Sequence, residues 1–429
     1  MTGRLNIFQR TMLEWNEQHP YNSVHVVQVF APLDSPRLVA TINHTLQSRG
    51  IARLVLDPQR GAFEYRQGGA AEVEIHTITV SESPQAALTA EVARQLNTPF
   101  AHRQPFNPFR FFLAPGSDSF HLGLVFFHAV ADGTAAVEVL TAIVDVYLGE
   151  PVPAPTLDLY PESRDAILFR DPGLFIRKVA AMVANIRALR RARRVAGRAE
   201  PDPATAATFF SLSVAERAGL QRAGKAWEVT VNDLFLALLL QSFARQWPPP
   251  SASRRTKLAV GCIVNLRNES GLDARATFGL FLGSLVVISE SQPEMSLRER
   301  AQAVRQQTAR TKRRRLAVAT AMELRFARWV RGFYSPERQR KFYAKHYPLW
   351  GGISNLKLEA LWPRPAGQER VDYFRAVSPG PVTPLVLSIT TCGGGVNIGL
   401  AYRQAVFSAV QVEQIKRDFL AGVRDLSPT

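Results

Sequence analysis

Apolar and polar residues follow two different rhythms along the chain. β-Branched residues crowd 22–30, Asn-Ser-Val-His-Val-Val-Gln-Val-Phe, and predict a strand. Leu38, Ile42 and Leu46 then recur at helical spacing behind a Ser35-Pro36 pair suited to a helix start, so 36–49 reads as a helix. The same reasoning gives a strand at 73–80, a helix at 84–97, a strongly apolar strand at 119–127 and a helix from Thr134 to Tyr147. Pro151, Pro153, Pro155, Pro161 and Pro172 mark 150–172 as a connection. A helix then opens with Asp171 as cap and Pro172 in its first turn; Phe175, Val179, Met182, Val183, Ile186 and Leu189 form its apolar face. Residues 199–208 read as a linker. Beyond them the pattern predicts strands at 208–213, 257–264, 280–288, 383–391 and 395–401, and helices at 214–223, 231–246, 296–310 and 410–423.

These elements divide into two mixed α/β halves, 1–150 and 205–429. A Pro-rich and then basic, helical crossover, 151–204, joins them. The strands are not spaced by regular βα units, and no solenoid period is visible.

Composition narrows the picture. The chain has 429 residues, 46% of them hydrophobic, enough for a large packed core. The 52 Lys and Arg exceed the 36 Asp and Glu, a net charge of +16. Such an excess either serves solubility alone or meets something anionic: nucleic acid, phospholipid, a nucleotide-bearing donor or an acidic carrier protein. No helix-turn-helix, zinc or RNA-recognition pattern is present, so nucleic acid is not the expected partner. Only Cys262 and Cys392 are available for thiol chemistry, at no metal-type spacing, and a reducing compartment follows. The N-terminus carries no apolar signal region, and no run approaches the ~20 apolar residues that span a bilayer. The expected location is the cytoplasm, with the inner membrane face open to it.

The stretch with chemistry in it is Phe126-Phe127-His128-Ala129-Val130-Ala131-Asp132-Gly133. A histidine closes an apolar strand, Asp-Gly follows three residues later, and a helix begins. Imidazole titrates near neutrality and suits the removal of a proton from a hydroxyl, amine or thiol. At a strand end it projects into a cleft or packs as an ordinary histidine. Gly133 is expected to let the loop turn sharply. The remaining histidines are scattered, and no metal site is expected.

Phe-His-Ala-Val-Ala-Asp-Gly, placed between an apolar strand and a helix, resembles the HHxxxDG signature of the condensation superfamily of CoA-dependent acyltransferases. Pro99-Phe100 and Pro108-Phe109-Arg110-Phe111 resemble the segment before the signature strand. Thr230-Val231-Asn232-Asp233 is similar to a segment of the wax ester synthase branch. Val264-Asn265-Leu266-Arg267, Phe278–Leu285, Ile353-Ser354-Asn355-Leu356 and Leu387–Thr391 with the glycines after it fall in the superfamily's order. The resemblance runs over most of the chain and includes the polyketide-associated and alcohol acyltransferase-like branch. Two departures stand out. Phe127 replaces the first His of the signature. The plant-type DFGWG motif is absent, its nearest match being Thr277–Phe281.

The resemblance implies two chloramphenicol-acetyltransferase-like lobes forming a V with a channel between them. It implies His128 as general base, Asp132 turned away from the reaction centre as a structural residue beside Gly133, and Arg267 as the partner of Asp132. Ser284 and Asn355 are the implied oxyanion or channel donors. No metal and no bound cofactor are implied. The donor is an acyl thioester, acyl-CoA or acyl-carrier protein, and the acceptor an alcohol or amine. O-Acylation of a lipid, glycolipid or secondary metabolite competes with amide formation by a stand-alone condensation enzyme, and with a silent condensation-like binding protein. The basic segments 171–198 and 310–345 interleave Arg and Lys with aromatics, as an anionic membrane surface favours at about 1 kcal/mol per basic residue.

Overall fold

The structure is a computed structural model; it describes residues 2–426 apart from 67–72, 74, 80–82, 151–170, 196, 198–203, 250–253, 268, 270–276 and 364–371. The prolines at 151–161, Arg198 and the first half of the linker expected at 199–208 lie outside the described residues; the second half runs into strand from Thr205.

In chain order the first half contains β1 (Thr2–Arg4), α1 (Ile7–Asn16), β2 (Asn22–Val29), α2 (Ser35–Ser48), β3 (Leu54–Asp57), β4 (Ala62–Tyr65), β5 (Ile75–Thr77), α3 (Pro84–Asn97), β6 (Phe109–Pro115), β7 (Phe120–Phe127) and α4 (Gly133–Leu148). Helix α5 (Pro172–Leu189) follows. The second half contains β8 (Thr205–Leu212), α6 (Val214–Ala226), α7 (Val231–Gln246), β9 (Lys257–Asn265), β10 (Leu282–Glu290), α8 (Leu297–Arg313), α9 (Thr320–Gly332), α10 (Pro336–His346), β11 (Gly351–Lys357), α11 (Leu358–Leu361), β12 (Tyr373–Val377), β13 (Leu385–Cys392), β14 (Gly395–Arg403) and α12 (Ala409–Arg424).

Local chemistry explains the helix boundaries. Asp34, Ser83 and Asp171 each cap a helix and precede a Pro in its first turn. Asn6, Ser213, Thr230, Ser296 and Ser408 each pair with an acid or Gln three residues on, in a reciprocal capping box. The Thr230–Asp233 segment thus has a structural explanation: it opens α7, and Asp233 also accepts a bond from Thr308 at 2.7 Å. Helix α7 is apolar from Leu234 to Leu240 and buried on every face, at the centre of the second half.

Two large mixed sheets organise the fold. The order β12-β2-β7-β6-β5 forms the first and β10-β9-β11-β13-β14-β8 the second; β1-β4-β3 is a small satellite. Strand β7 is apolar on both faces because it runs mid-sheet, and its Phe120, Leu122, Leu124, Val125, Phe126 and Phe127 are all buried. One strand crosses the division drawn at 205: β12 pairs antiparallel with β2, Tyr373 opposite Val27 and Val377 opposite Ser23. The mixed α/β class expected from the pattern is the one observed.

Helix α5 differs from its expected face. Leu174, Lys178 and Leu189 are its buried residues, whereas Phe175 and Val183 point outward. Lys178 is drawn inward by an ion pair to Glu323 at 2.9 Å and a bond to the Leu316 carbonyl at 2.9 Å. That partnership rotates the helix away from its apolar stripe.

Where β12 crosses β14, Gly399 admits the neighbouring backbone: a Cβ there would sit 2.0 Å from the carbonyl oxygen of Arg375. A carbonyl in a paired strand cannot swing aside. Gly399→Ala is expected to cost about 3 kcal/mol of unfolding free energy in a urea titration. Gly332→Ala, with nothing within 4 Å of the new methyl, should change it by less than about 1 kcal/mol.

Candidate active site

Strand β7 delivers His128 to the end of the first sheet. Its amide donates to the Tyr21 carbonyl at 3.1 Å, which extends the β2–β7 ladder by one residue. Val130 N–H then closes a tight turn onto the Phe127 carbonyl at 3.0 Å. The turn brings the Ala131 carbonyl within 3.0 Å of His128 Nδ1. A carbonyl only accepts, so the neutral ring carries its proton on Nδ1 and its lone pair on Nε2. Tyr21 stacks on the imidazole, ring centroids 5.2 Å apart and planes at 17°, and Phe126 meets its edge at 5.8 Å. Both contacts hold the ring plane. Burial lowers the imidazole pKa below its ordinary 6.5 and Arg375 works in the same direction, against the opposing pull of the Ala131 carbonyl and Asp132. His128 is therefore neutral, a free base, at physiological pH.

Asp132 faces away from the imidazole. Its Oδ1 accepts from the amides of Thr134 and Ala135, both at 3.1 Å, and caps α4. Its Oδ2 accepts from Arg267 Nη1 at 2.6 Å and from the Phe281 amide at 2.8 Å. Both side chains are buried, Arg267 at 0% and Asp132 at 1% exposure. Arg267 Nη2 donates to the carbonyls of Thr277 and Gly279, each at 3.3 Å, and the guanidinium lies 4.5 Å over the Phe281 ring. The Asp132 amide returns a bond to the Gly279 carbonyl at 3.0 Å, and Asn265 Nδ2 donates to Thr134 Oγ1 at 3.0 Å. The turn after His128 is thus stitched to the 265–281 segment of the second half.

Gly133 is the first residue of α4, and its φ is not positive. The unusual backbone conformation expected of it is therefore not the reason for a glycine, and neither is crowding, since a Cβ would make only ordinary contacts. A Cβ would lie 3.4 Å from Leu356, 3.6 Å from His25 and 3.7 Å from Arg375, at the wall of a cavity.

That cavity, of about 200 Å³, lies between the halves and is walled largely by apolar side chains of α1, α9, β10 and the strands around β9. His128, Gly133 and Ser284 line it. Asn355 is not among the residues that line it; its neighbour Ser354 is, with Gly352 and Ile353 before it. Asn355 Oδ1 is buried without a hydrogen-bond partner. The backbone of Ser284 is held by Thr320, which takes the amide at 2.9 Å and donates to the carbonyl at 3.2 Å. Phe127, in place of the first signature histidine, turns into the core against Phe100, His102 and Phe106.

Two groups at the site, Arg375 in the cavity wall and His25 behind it, carried no signal in the sequence. Arg375 on β12 donates through Nε to Thr390 Oγ1 at 3.1 Å and through Nη1 to Ser354 Oγ at 3.2 Å; Nη2 donates to the carbonyls of Ser354 and Ile389 at 2.5 and 3.0 Å. Guanidinium has five N–H groups, so one on Nη1 is left without a protein acceptor among the described residues. Burial lowers its pKa to about 10, and it stays charged. Behind it His25 is fully buried, its Nδ1 2.6 Å from Tyr373 Oη. Burial, then Arg375 and His128, hold His25 neutral. A strand reading of 22–30 and a gap in the pattern at 373–377 hid both. Cys262 also lines the cavity, but burial pushes its thiol up to about 11, a poor nucleophile. Among the described residues no group of His, Cys, Asp and Glu is placed to hold a metal.

No protein-family model matches the chain, and no curated protein matches it in sequence. Solved structures match it throughout. The first condensation domain of the calcium-dependent antibiotic synthetase, in complex with a substrate analogue, superposes with a TM-score of 0.75 at 16% identity, over 100% of this chain and 97% of that one. The SgcC5 protein from Streptomyces globisporus, in complex with (R)-(-)-1-(2-naphthyl)-1,2-ethanediol and sucrose, gives 0.67 at 16% identity, over 98% of each chain. The epimerization domain from the third module of tyrocidine synthetase B gives 0.63 at 14% identity, over 99% of this chain and 96% of that one. The fold is that of the condensation domains, the superfamily that the motif order resembled.

Because each partner of Asp132–Arg267 is left buried and charged when the other goes, Arg267→Ala and Asp132→Ala are each expected to cost roughly 3–5 kcal/mol in denaturant unfolding. The double variant should cost far less than the sum, and the coupling in that cycle measures the pair.

Proposed function

We propose that the chain is an acyltransferase that moves an acyl group from an acyl thioester, acyl-CoA or an acyl-carrier protein, to an acceptor hydroxyl, with His128 as general base. The observation that carries the reading is the free Nε2 lone pair of a neutral, half-buried imidazole, on a ring fixed by Ala131 and Tyr21, at a cavity between two halves. Nε2 takes the acceptor proton as its oxygen attacks the thioester carbonyl. The tetrahedral intermediate collapses with cleavage of the C–S bond, and the proton passes from Nε2 to the leaving thiolate. An ester and a free thiol result.

The developing oxyanion needs a donor, and the remaining Nη1 proton of Arg375 supplies one in place of Asn355. Asp132 and Arg267 hold the turn and touch no substrate. The apolar cavity wall suits a lipid, glycolipid or secondary-metabolite acceptor, or the acyl chain itself. The aryl diol bound by SgcC5 supports a hydroxyl acceptor. The condensation-domain neighbours favour a second reading, amide formation on an amine with carrier-bound substrates, which uses the same proton path.

The purified protein, given acyl-CoAs of increasing chain length with alcohols, amines or a lipid extract, is expected to release free thiol only when an acceptor is present. His128→Ala should abolish that release, and release that survives the substitution removes His128 as base. If no acyl-CoA reacts while an acylated carrier does, the donor is the carrier; failure of both leaves a binding protein. The pH profile follows from the lowered pKa. The base is lost by protonation as pH falls through that value, so kcat/KM should stay level through neutrality and drop only below about 6.5, the ordinary imidazole value.

A further inference from the structure

Helix α9 is a wall with two different faces. Its inner face contributes Glu323, Leu324 and Ala327 to the cavity. Its outer face carries three rings at helical spacing, Phe326, Trp329 and Phe333, which are 37%, 63% and 74% exposed. The rings touch one another, with centroids 6.1 Å apart for Phe326–Trp329 and 5.1 Å for Trp329–Phe333. Isolated exposed apolar residues are ordinary, but a contiguous aromatic stripe is not.

A second helix, α5, also exposes apolar residues. Lys178 of α5 pairs with Glu323 of α9, and within one turn of that pair α5 exposes Phe175 (48%) and Ile176 (67%).

Charge tells what covers this face. Residues 310–345 hold twelve Lys and Arg against two Glu, ten of the chain's sixteen excess positive charges. Both of those Glu are already spent, Glu323 on Lys178 and Glu337 on Lys341. Arg328 and Arg331 are tied to Glu14, and Arg315 pairs with Glu269. The run Lys312–Arg314 before α9, and Arg338 and Lys345 after it, remain exposed. Aromatic rings for the boundary of the acyl region, set among cations for lipid phosphates, are the composition of an interfacial helix. Among the described residues no helix is long and apolar enough to cross a membrane, so the contact is with a surface.

We propose that the outer face of α9, with the exposed end of α5, seats the molecule on an anionic lipid bilayer. Seating is independent of the chemistry at His128. It places the cavity one helix away from the lipid.

The full chain is tested by flotation with phosphatidylcholine–phosphatidylglycerol vesicles and with phosphatidylcholine vesicles alone. Binding is expected to the anionic vesicles, to weaken as salt rises, and to be at least about tenfold lower on the neutral ones. Trp329→Ser with Phe333→Ser should lower anionic-vesicle binding by about tenfold or more, with the circular dichroism and melting of the wild type. The same variant should keep its His128-dependent thiol release from a short, water-soluble acyl-CoA, so that a failed seat and a failed chemistry are told apart. No vesicle binding by the wild type, equal binding by the variant, or loss of an acidic carrier protein's binding in its place, overturns the lipid assignment.

Discussion

The buried ion pair between Asp132 and Arg267 is the constraint on which the rest of the site depends. Two full charges leave water, and a dense set of hydrogen bonds offsets that cost, with only Arg267 Nε of the pair lacking a partner among the described residues. Asp132 accepts four bonds on two oxygens, and Arg267 answers with Nη1 and Nη2. The pair does no chemistry. It holds the start of α4 and the 277–281 segment in one rigid joint, and the His128 turn is the four residues before that joint. The imidazole orientation is therefore set by contacts that span both halves of the chain. An imidazole held this way needs no reorganisation to take up a proton.

Much of this was legible because its causes are local. Strand β7, helices α2, α3, α4, α7 and α12, and the hairpin β13–β14 announce themselves by period and by caps, and their observed bounds lie close to the patterned ones. The turn chemistry of His128 to Gly133 is likewise written in consecutive residues. Helix α1 was readable in principle from Asn6 and Gln9, a capping pair followed by Phe8, Met12 and Trp15. By contrast, Arg375 and His25 owe their place to the register of β12 against β2, which no window of sequence contains.

Where a motif was read but its phase was not, the error has a simple geometry. The Ile353–Leu356 strand was found, yet how far along it the cavity reaches was not: Gly352, Ile353 and Ser354 meet the cavity and Asn355 does not. On α5 Lys178 faces inward, where Glu323 and the Leu316 carbonyl satisfy its charge, and Phe175 and Val183 are left outside. The basic segments divide in a similar way. Several arginines that looked free in sequence close ion pairs in the fold, and what remains is concentrated around one helix.

Strand β12 also sets a clock. His25 and Tyr373, which meet at 2.6 Å, are separated by 348 positions, so the first sheet is left without an edge strand during most of synthesis. At about 5–20 residues per second on the ribosome, the wait lasts roughly 20–70 s. Through that interval β2 is an unpaired apolar border, a template for the wrong neighbour. The nascent chain thus has reason to need a chaperone's shelter. A gene cut between the two halves would yield two pieces that each lack something the other owns.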